Sequence, residues 1–343
     1  MGLLRRLFLS LLLTMVVGAC HDRGSRGEAL LFTLKDPRGD DHGDGELRYP
    51  LRQDFEPGSL DLLSLEAFAE SGGTRFEATF ARSIPRPQRG RTVDAAGTTL
   101  SNQARYGFYT FNLDIYVDTD RAEGSGRTDT LPGRHLTLAP GSAWEKAIVL
   151  TPRPHEARDV LRKLWGQAAR EEAQRREGSL SESAARVLDT QVERQLEEGV
   201  FFPTRIRIAG NTVSFFVPDG FLGGQALPTW GYAVAATGAT LERRVELPTF
   251  FGGVTAPTTE AGLMVLGIGP GVSQERFGGG RLGGSRQSPV VDLMVPEGIQ
   301  QEEVLGPRVT PWPAVVPAAP VLPQAPDAGA PGRQDDTPGT GAL

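Results

Sequence analysis

The stretch YGFYTFNLDIYVDTD, residues 106–120, decides the fold class. Its side chains alternate with a period of two, which is typical of a β-strand. One face is apolar or aromatic throughout and therefore belongs in a core. It consists of Tyr109, Phe111, Leu113, Ile115 and Val117. The opposite face mixes polar and aromatic side chains, namely Phe108, Thr110, Asn112, Asp114 and Tyr116.

Further strand-like stretches lie on both sides of this one. In chain order they are LDLLSLEAF (60–68), TRFEATFA (74–81), WEKAIVL (144–150), TRIRIAG (204–210), TVSFFVPD (212–219), WGYAVAATGAT (230–240) and VVDLMVP (290–296). Gly210 and Asn211 separate two of them with the signature of a two-residue hairpin turn. The chain is therefore predicted to be mainly β.

Residues 154–199 break this period. They are rich in Ala, Glu, Arg, Gln and Leu, and their apolar residues recur at helical spacing. Ser179 and Glu182 have the spacing of a capping box for a second helix, and Gly199 is placed to end it. We predict an antiparallel helical hairpin here.

Strands before and after this insert favour one antiparallel β-sandwich over residues 30–305, interrupted by a helical-hairpin insertion at 154–199. The alternative is two small domains joined by the helices.

The N-terminus has the pattern of an export signal. Arg5 and Arg6 precede an apolar block that is too short to span a bilayer, and small residues follow. Residues 17–20, VGAC, resemble a bacterial lipobox. We therefore expect a signal peptide at 1–19, lipidation of Cys20, and a tether at 20–29. Cys20 is the single cysteine of the chain and has no internal disulfide partner. An ordinary signal peptide is the alternative.

From residue 306 to 343 the chain is dense in Pro, Ala and Gly, without periodicity. We predict a disordered tail, because such a segment buries too little apolar surface to offset its ordering entropy. The formal charge of −6 falls to about −8 without Arg5 and Arg6. A mildly acidic chain without a basic cluster does not fit nucleic-acid binding.

The acidic segment DPRGDDHGDG, residues 36–45, is a candidate calcium loop. Calcium takes six to eight hard oxygen ligands from flexible, carboxylate-rich loops. The candidate ligands are Asp36, Asp40, Asp41 and Asp44, with Asp61 approaching from the next strand. The EF-hand spacing fails, and a turn whose carboxylates cap backbone N–H groups is the alternative. The segment DTDRAEGSGRTD, residues 118–129, poses the same choice between a calcium site and a loop without metal. A hairpin-type loop rich in solvated charge is the better interpretation there.

Sugar binding usually combines aromatic platforms with carboxylate or amide groups. The candidates are Asn112, Asp114 and Tyr116 on one face of a strand, with Trp144 and Trp230 at strand ends. Aromatic residues that simply belong to the core are the alternative for each.

We expect no catalytic residues. No nucleophile elbow or phosphate-binding loop occurs, and the four histidines are scattered rather than spaced as zinc ligands. Carboxylates are nevertheless plentiful, so composition alone leaves a glycosidase open.

Five phrases together are similar to the C-terminal module of glucodextranase, which also occurs with other secreted α-glucan hydrolases. They are residues 34–67, 113–134, 143–148, 230–238 and 275–305. The resemblance runs from Leu31 to Leu305 and implies a DOMON-like β-sandwich. The family is non-catalytic and thought to bind carbohydrate or cell-envelope polymer, SLH-like, and is usually joined to a hydrolase.

We therefore expect a lipid-anchored bacterial envelope protein, on a membrane that the sequence does not identify, that binds a polysaccharide or envelope polymer. The alternative is a structural or assembly lipoprotein that binds a protein partner through the helical insertion. A hydrolytic role is third.

Overall fold

The computed structural model describes residues 29–89, 99–240, 263–274, 276–280, 287–306 and 310–318. The expected signal peptide, Cys20, nearly all of the tether and most of the expected tail lie outside these residues. None of the helices within the described ranges combines the length and the apolar character needed to cross a membrane.

The described residues form ten strands. They are Leu30–Lys35 (β1), Leu62–Glu70 (β2), Gly73–Phe80 (β3), Phe111–Asp118 (β4), Lys146–Leu150 (β5), Val200–Phe201 (β6), Ile206–Ala209 (β7), Thr212–Pro218 (β8), Gly231–Gly238 (β9) and Val290–Leu293 (β10). Every strand predicted from the sequence is present, which confirms the mainly β fold.

The helices within the same ranges are Leu100–Gln103 (α1), Pro154–Glu177 (α2), Glu182–Gly199 (α3), Asp219–Leu222 (α4) and Gln301–Leu305 (α5), with one 3-10 turn at Pro140–Ser142. The long pair α2 and α3 is the predicted helical hairpin. The predicted capping box is two residues out of place, because Ser181 rather than Ser179 caps α3 and accepts a hydrogen bond from the Ala184 N–H. The predicted end of α3 at Gly199 is confirmed.

The strands form two five-stranded sheets. The first sheet has the order β1-β2-β3-β8-β7 and is antiparallel throughout, and the second has the order β10-β9-β4-β5-β6. In the second sheet β5 and β6 pair in parallel and the other pairs are antiparallel. Both sheets combine strands from before and after the helical hairpin, so the hairpin does not divide the strands into two separate sets.

One hydrophobic cluster contains side chains from both sheets. Phe111, Leu113, Ile115 and Val117 of β4 lie in it with Phe76 of β3. The apolar face predicted for residues 106–120 is therefore a core face from Phe111 to Val117. It is wrong before the strand begins, because Tyr109 lies in a separate small cluster and Phe108, predicted on the opposite face, lies in this core. Phe76 and Phe215 stack at 5.7 Å between ring centroids, which joins β3 to its neighbour β8.

The opposite face of β4 is buried as well, and all eight residues of the strand are inaccessible. A second hydrophobic cluster covers this face and includes Tyr116, Trp144, Leu161 of α2 and Leu196 of α3. The sequence does not distinguish this arrangement from a half-exposed strand, because polar groups with buried partners look like solvated ones in a linear pattern.

The folded region extends beyond its predicted end at residue 305. Trp312 is fully buried in the second cluster, and its indole Nε1 donates to the Met294 carbonyl at 3.1 Å. The Val315 backbone exchanges two hydrogen bonds with Tyr232 in β9. Residues 310–318 therefore belong to the fold, and the predicted boundary at 306 is wrong for this part of the tail.

Candidate functional site

Three predicted sugar-binding side chains lie in the interior. Asn112, Asp114 and Tyr116 are each no more than 1% exposed. The Asp114 carboxylate accepts two hydrogen bonds from the buried Arg134 guanidinium, at 2.5 and 3.0 Å. Burial works to lower the pKa of Arg134, but the charge and hydrogen bonds of Asp114 raise it overall. The prediction of these three residues as sugar ligands is wrong and the core alternative describes them, because the second hydrophobic cluster and the buried Arg134 cover them.

The two tryptophans named as sugar platforms also pack inward. Trp144 is 1% exposed and donates its indole N–H to the Asp129 carbonyl at 2.9 Å. Trp230 is half-buried and packs against the first hydrophobic cluster. Both rings pack against the hydrophobic clusters, so the alternative that these tryptophans belong to the core describes them better.

The aspartates of DPRGDDHGDG divide into two groups. Asp44 follows the turn interpretation, since its carboxylate accepts from the Glu46 N–H at 3.2 Å and from Gln287 at 2.9 Å. Asp41 accepts from the Tyr49 hydroxyl and from the Gly58 N–H. These two carboxylates hold the loop in shape.

Asp36 and Asp40 behave differently and lie beside a third carboxylate, Asp292 of β10. One carboxylate oxygen from each of the three residues lies within 4.8 Å of the others. Both oxygens of Asp36 and Oδ1 of Asp40 are buried, and no described residue donates a hydrogen bond to them. We call Asp36, Asp40 and Asp292 the carboxylate cluster.

Burial dominates the electrostatics of the carboxylate cluster. Desolvation, followed by the charges of Asp40 and Asp61, raises the pKa of Asp36 to about 8. Desolvation also raises the pKa of Asp40 to about 6. Burial first, and then the charges of Asp36 and Asp40, holds the pKa of Asp292 well above its usual range.

Asp292 was not predicted from the sequence. A single carboxylate inside the otherwise apolar strand VVDLMV was the signal that could have indicated it, because an isolated buried charge needs a partner. Asp61, which was predicted, adjoins the cluster but is not part of it. Its Oδ2 accepts from the Gly39 N–H at 2.9 Å, whereas no described residue donates to its buried Oδ1.

The second acidic group, Asp118, Asp120 and Glu145, has internal donors. Asp118 accepts from the Arg121 N–H at 2.6 Å, and Asp120 accepts from the Ala122 N–H at 2.8 Å. The Ser125 hydroxyl lies within hydrogen-bond distance of both Asp120 and Glu145. The solvated-loop interpretation of residues 118–129 therefore fits the exposed residues 120–124 but not Asp118, which is only 2% exposed.

The outer face of the first sheet, turned away from the core, carries a ladder of charged and aromatic side chains. Glu70 lies between two arginines and pairs with Arg205 and, at 3.7 Å, with Arg75. The Arg205 guanidinium lies 4.6 Å above the Phe216 ring, and that of Arg75 lies 4.4 Å above the Phe68 ring. We call these five residues the outer-face ladder.

A shallow groove of about 370 Å³ follows the outer-face ladder. Its lining includes Glu70, Glu77, Arg75, Arg205, Arg207 and Phe216. Phe216 packs closely on Gly73, where an added Cβ would lie only 2.6 Å from the ring. The lack of a side chain at Gly73 therefore lets the ring lie on the sheet surface, with Arg205 stacked above it. The alternating pattern of the sequence predicts that these side chains lie on one face of their strands. It does not predict the strand register that brings them next to one another.

A family model described as the SLH-like C-terminal binding module of glucodextranase matches residues 31–316. This span covers both sheets, the helical hairpin and the segment around Trp312, and it confirms the resemblance seen in the sequence. No curated protein shows a match to the chain.

Proposed function

The chain belongs to the family of glucodextranase C-terminal binding modules, and from this premise we propose that it binds a carbohydrate or a cell-envelope polymer without catalysis. The matched family is one of binding modules rather than catalytic domains, which supports a non-enzymatic role. We infer a DOMON-like β-sandwich as the architecture that presents the binding surface.

The observation that carries the proposal is the outer-face ladder. Guanidinium and carboxylate groups alternate along it, and both can form paired hydrogen bonds with neighbouring hydroxyls of a sugar ring. The guanidinium of Arg205 lies above the Phe216 ring and pairs with Glu70, and its side chain is 69% exposed. A planar group that is already ordered loses little entropy when a ligand stacks on it.

The groove is open to solvent rather than enclosed, which suits a chain of sugar units that continues beyond it better than a buried small molecule. Arg75, Arg205 and Arg207 outnumber Glu70 and Glu77 among its lining residues. The surface therefore favours neutral or anionic polymers over cationic ones.

Affinity electrophoresis tests the function. We expect one or more polymers from a panel of dextran, pullulan, starch and anionic envelope polysaccharides to retard the protein in a native gel. We also expect no new reducing ends after prolonged incubation with the retarding polymer. Release of reducing ends would instead assign the chain to the hydrolases, and an absence of retardation by every polymer would reject glycan binding.

Protein-partner binding through the helical hairpin is the second candidate. It is favoured by the outer half of α2 and α3, because no residue between 167 and 191 is buried. This half is densely charged and contributes nothing to either hydrophobic cluster. An envelope protein that crosslinks to the chain, and is lost when this outer half is removed, would support the candidate.

We further propose that Cys20 carries a lipid that attaches the protein to a bacterial membrane. The proposal is supported by the lipobox-like residues 17–20 and by the absence of any other cysteine. A lipid anchor holds a protein at a membrane without a spanning helix. Metabolic labelling with radioactive palmitate should mark the wild-type protein and not Cys20→Ser, and equal labelling of both would reject the anchor.

A further inference from the structure

The carboxylate cluster lies where the edges of the two sheets meet. β1 is an edge strand of the first sheet and β10 is an edge strand of the second. Asp36 directly follows β1, and Asp292 lies within β10. A group held by both residues would therefore connect the two sheets at an edge.

Hydrogen bonds fix the acidic loop, residues 36–45, in this position. The Gly43 N–H donates to the Val291 carbonyl at 2.9 Å, and Gln301 of α5 donates to the Gly43 carbonyl at 3.0 Å. Asp292 accepts from the Leu62 N–H of β2 at 2.5 Å. The cluster is therefore built on regular strands and a pinned loop, which makes its geometry well defined.

The second observation is that four carboxylate oxygens here, on Asp36, Asp40 and Asp61, are buried and receive no hydrogen bond from the described residues. Each oxygen of Asp36 exposes less than 1 Å², and no described residue donates to either. Asp61, only 2% exposed, has a further buried oxygen in the same condition, and its charge acts on both Asp36 and Asp40. Buried polar groups are normally satisfied, and buried charges are normally paired or bound to a metal.

We propose that Asp36, Asp40 and Asp292 bind one calcium ion that clamps β1 to β10. The ligands are all carboxylate oxygens, and no histidine or thiol is among them, which selects a hard divalent cation over zinc or copper. Three carboxylates, with a fourth alongside, exceed the one or two that magnesium sites usually take. Bound calcium removes the repulsion that otherwise opposes docking of the acidic loop.

Calorimetric titration of the purified protein with CaCl2 is the primary experiment. We expect one calcium ion per chain, and a melting temperature raised by about 5 °C or more when free calcium is a hundredfold above its dissociation constant. The same titration with MgCl2 should give much weaker binding. No heat and no melting shift with calcium would overturn the proposal, and equally tight magnesium binding would overturn the calcium assignment.

Asp36→Asn is the decisive variant. It keeps the shape of the side chain, so we expect loss of calcium binding together with a melting temperature in EDTA at or above that of the wild type, because repulsion is relieved. Asp40→Asn provides a second test if Asp36→Asn does not fold.

Asp120→Asn is the matched control, because it removes one carboxylate charge from the second acidic group, which lies outside the cluster and its loop. It should bind calcium like the wild type. Retention of full calcium binding by both Asp36→Asn and Asp40→Asn, or its loss only in Asp120→Asn, would overturn the assignment.

Discussion

At the scale of single residues, the interior holds a complete ion pair. Asp114 and Arg134 are each 1% exposed, and Arg134 also donates to the Leu263 carbonyl at 3.1 Å. Tyr116 accepts a hydrogen bond from the Leu131 N–H at 3.0 Å beside them. Each charge of the pair has the other as its partner, so removal of one side chain leaves an unpaired charge in the interior.

We therefore predict that Asp114→Ala lowers the free energy of unfolding by about 3–5 kcal/mol, the range for a broken buried pair. The double variant Asp114→Leu with Arg134→Met should recover much of this loss, because it removes both charges. Chemical denaturation measures both effects. Glu193→Ala, which breaks the half-exposed pair with Arg158, is the control and should cost less than about 1 kcal/mol.

A loss of under 1 kcal/mol in Asp114→Ala would show that this face of β4 is accessible to water. It would also return Asp114 to the set of candidate sugar-binding residues.

At the scale of elements, the helical hairpin has two unlike halves. Near its base, Leu161 and Leu196 are fully buried against the second sheet. Farther out, an exposed ion pair of Arg170 with Asp189 joins the two helices. Exposed pairs contribute little to stability, so the base anchors the hairpin and the outer half is supported only by itself.

Replacement of residues 169–187 by a short Gly-Ser linker should therefore lower the melting temperature by no more than about 3 °C, because no buried side chain is lost. Leu161→Ala is the contrasting variant and should cost about 2–5 kcal/mol. Differential scanning calorimetry compares the two. A large melting shift on shortening would show that the outer half packs on the rest of the protein.

At the scale of the whole molecule, the two sheets are joined by a common core and by segments distant in sequence. Residues 310–318 return from the C-terminal side and close the second cluster around Trp312. The Trp312 ring lies edge-on to Tyr116 at 6.1 Å between centroids. The fold is therefore complete only when this late segment has docked.

Trp312→Ala should lower the free energy of unfolding by about 3–5 kcal/mol, the usual cost of truncating a buried tryptophan. Val316→Ala, at a residue of the same segment that is 39% exposed, is the control and should change it by less than about 1 kcal/mol. Urea denaturation of both variants is the measurement. Equal, small effects would mean that the segment does not contribute to the folded core.

The sequence predicts the strands and the helical hairpin well because period-two and helical spacing are local signals. It does not show that β4 is buried on both faces, since Asn112 and Asp114 look solvated until Arg134 and the second cluster are placed. It predicts Asp36 and Asp40 from one acidic segment but misses Asp292. That carboxylate is more than 200 residues away along the chain and reaches them only through the sheet topology.

The central claim for function is that the outer-face ladder binds the polymer. Arg205 is the most exposed residue of the ladder. The deciding measurement is the dissociation constant for the retarding polysaccharide, from affinity electrophoresis of wild type, Arg205→Ala, Arg205→Lys and Arg82→Ala. Arg82 is a matched control, because it is an exposed arginine paired with a glutamate, Glu56, away from the groove.

We predict that Arg205→Ala weakens binding about tenfold or more, that Arg205→Lys restores little of it because lysine lacks the planar fork, and that Arg82→Ala binds like the wild type. An Arg205→Ala protein that is folded and binds as tightly as the wild type would contradict the claim that this face holds the polymer.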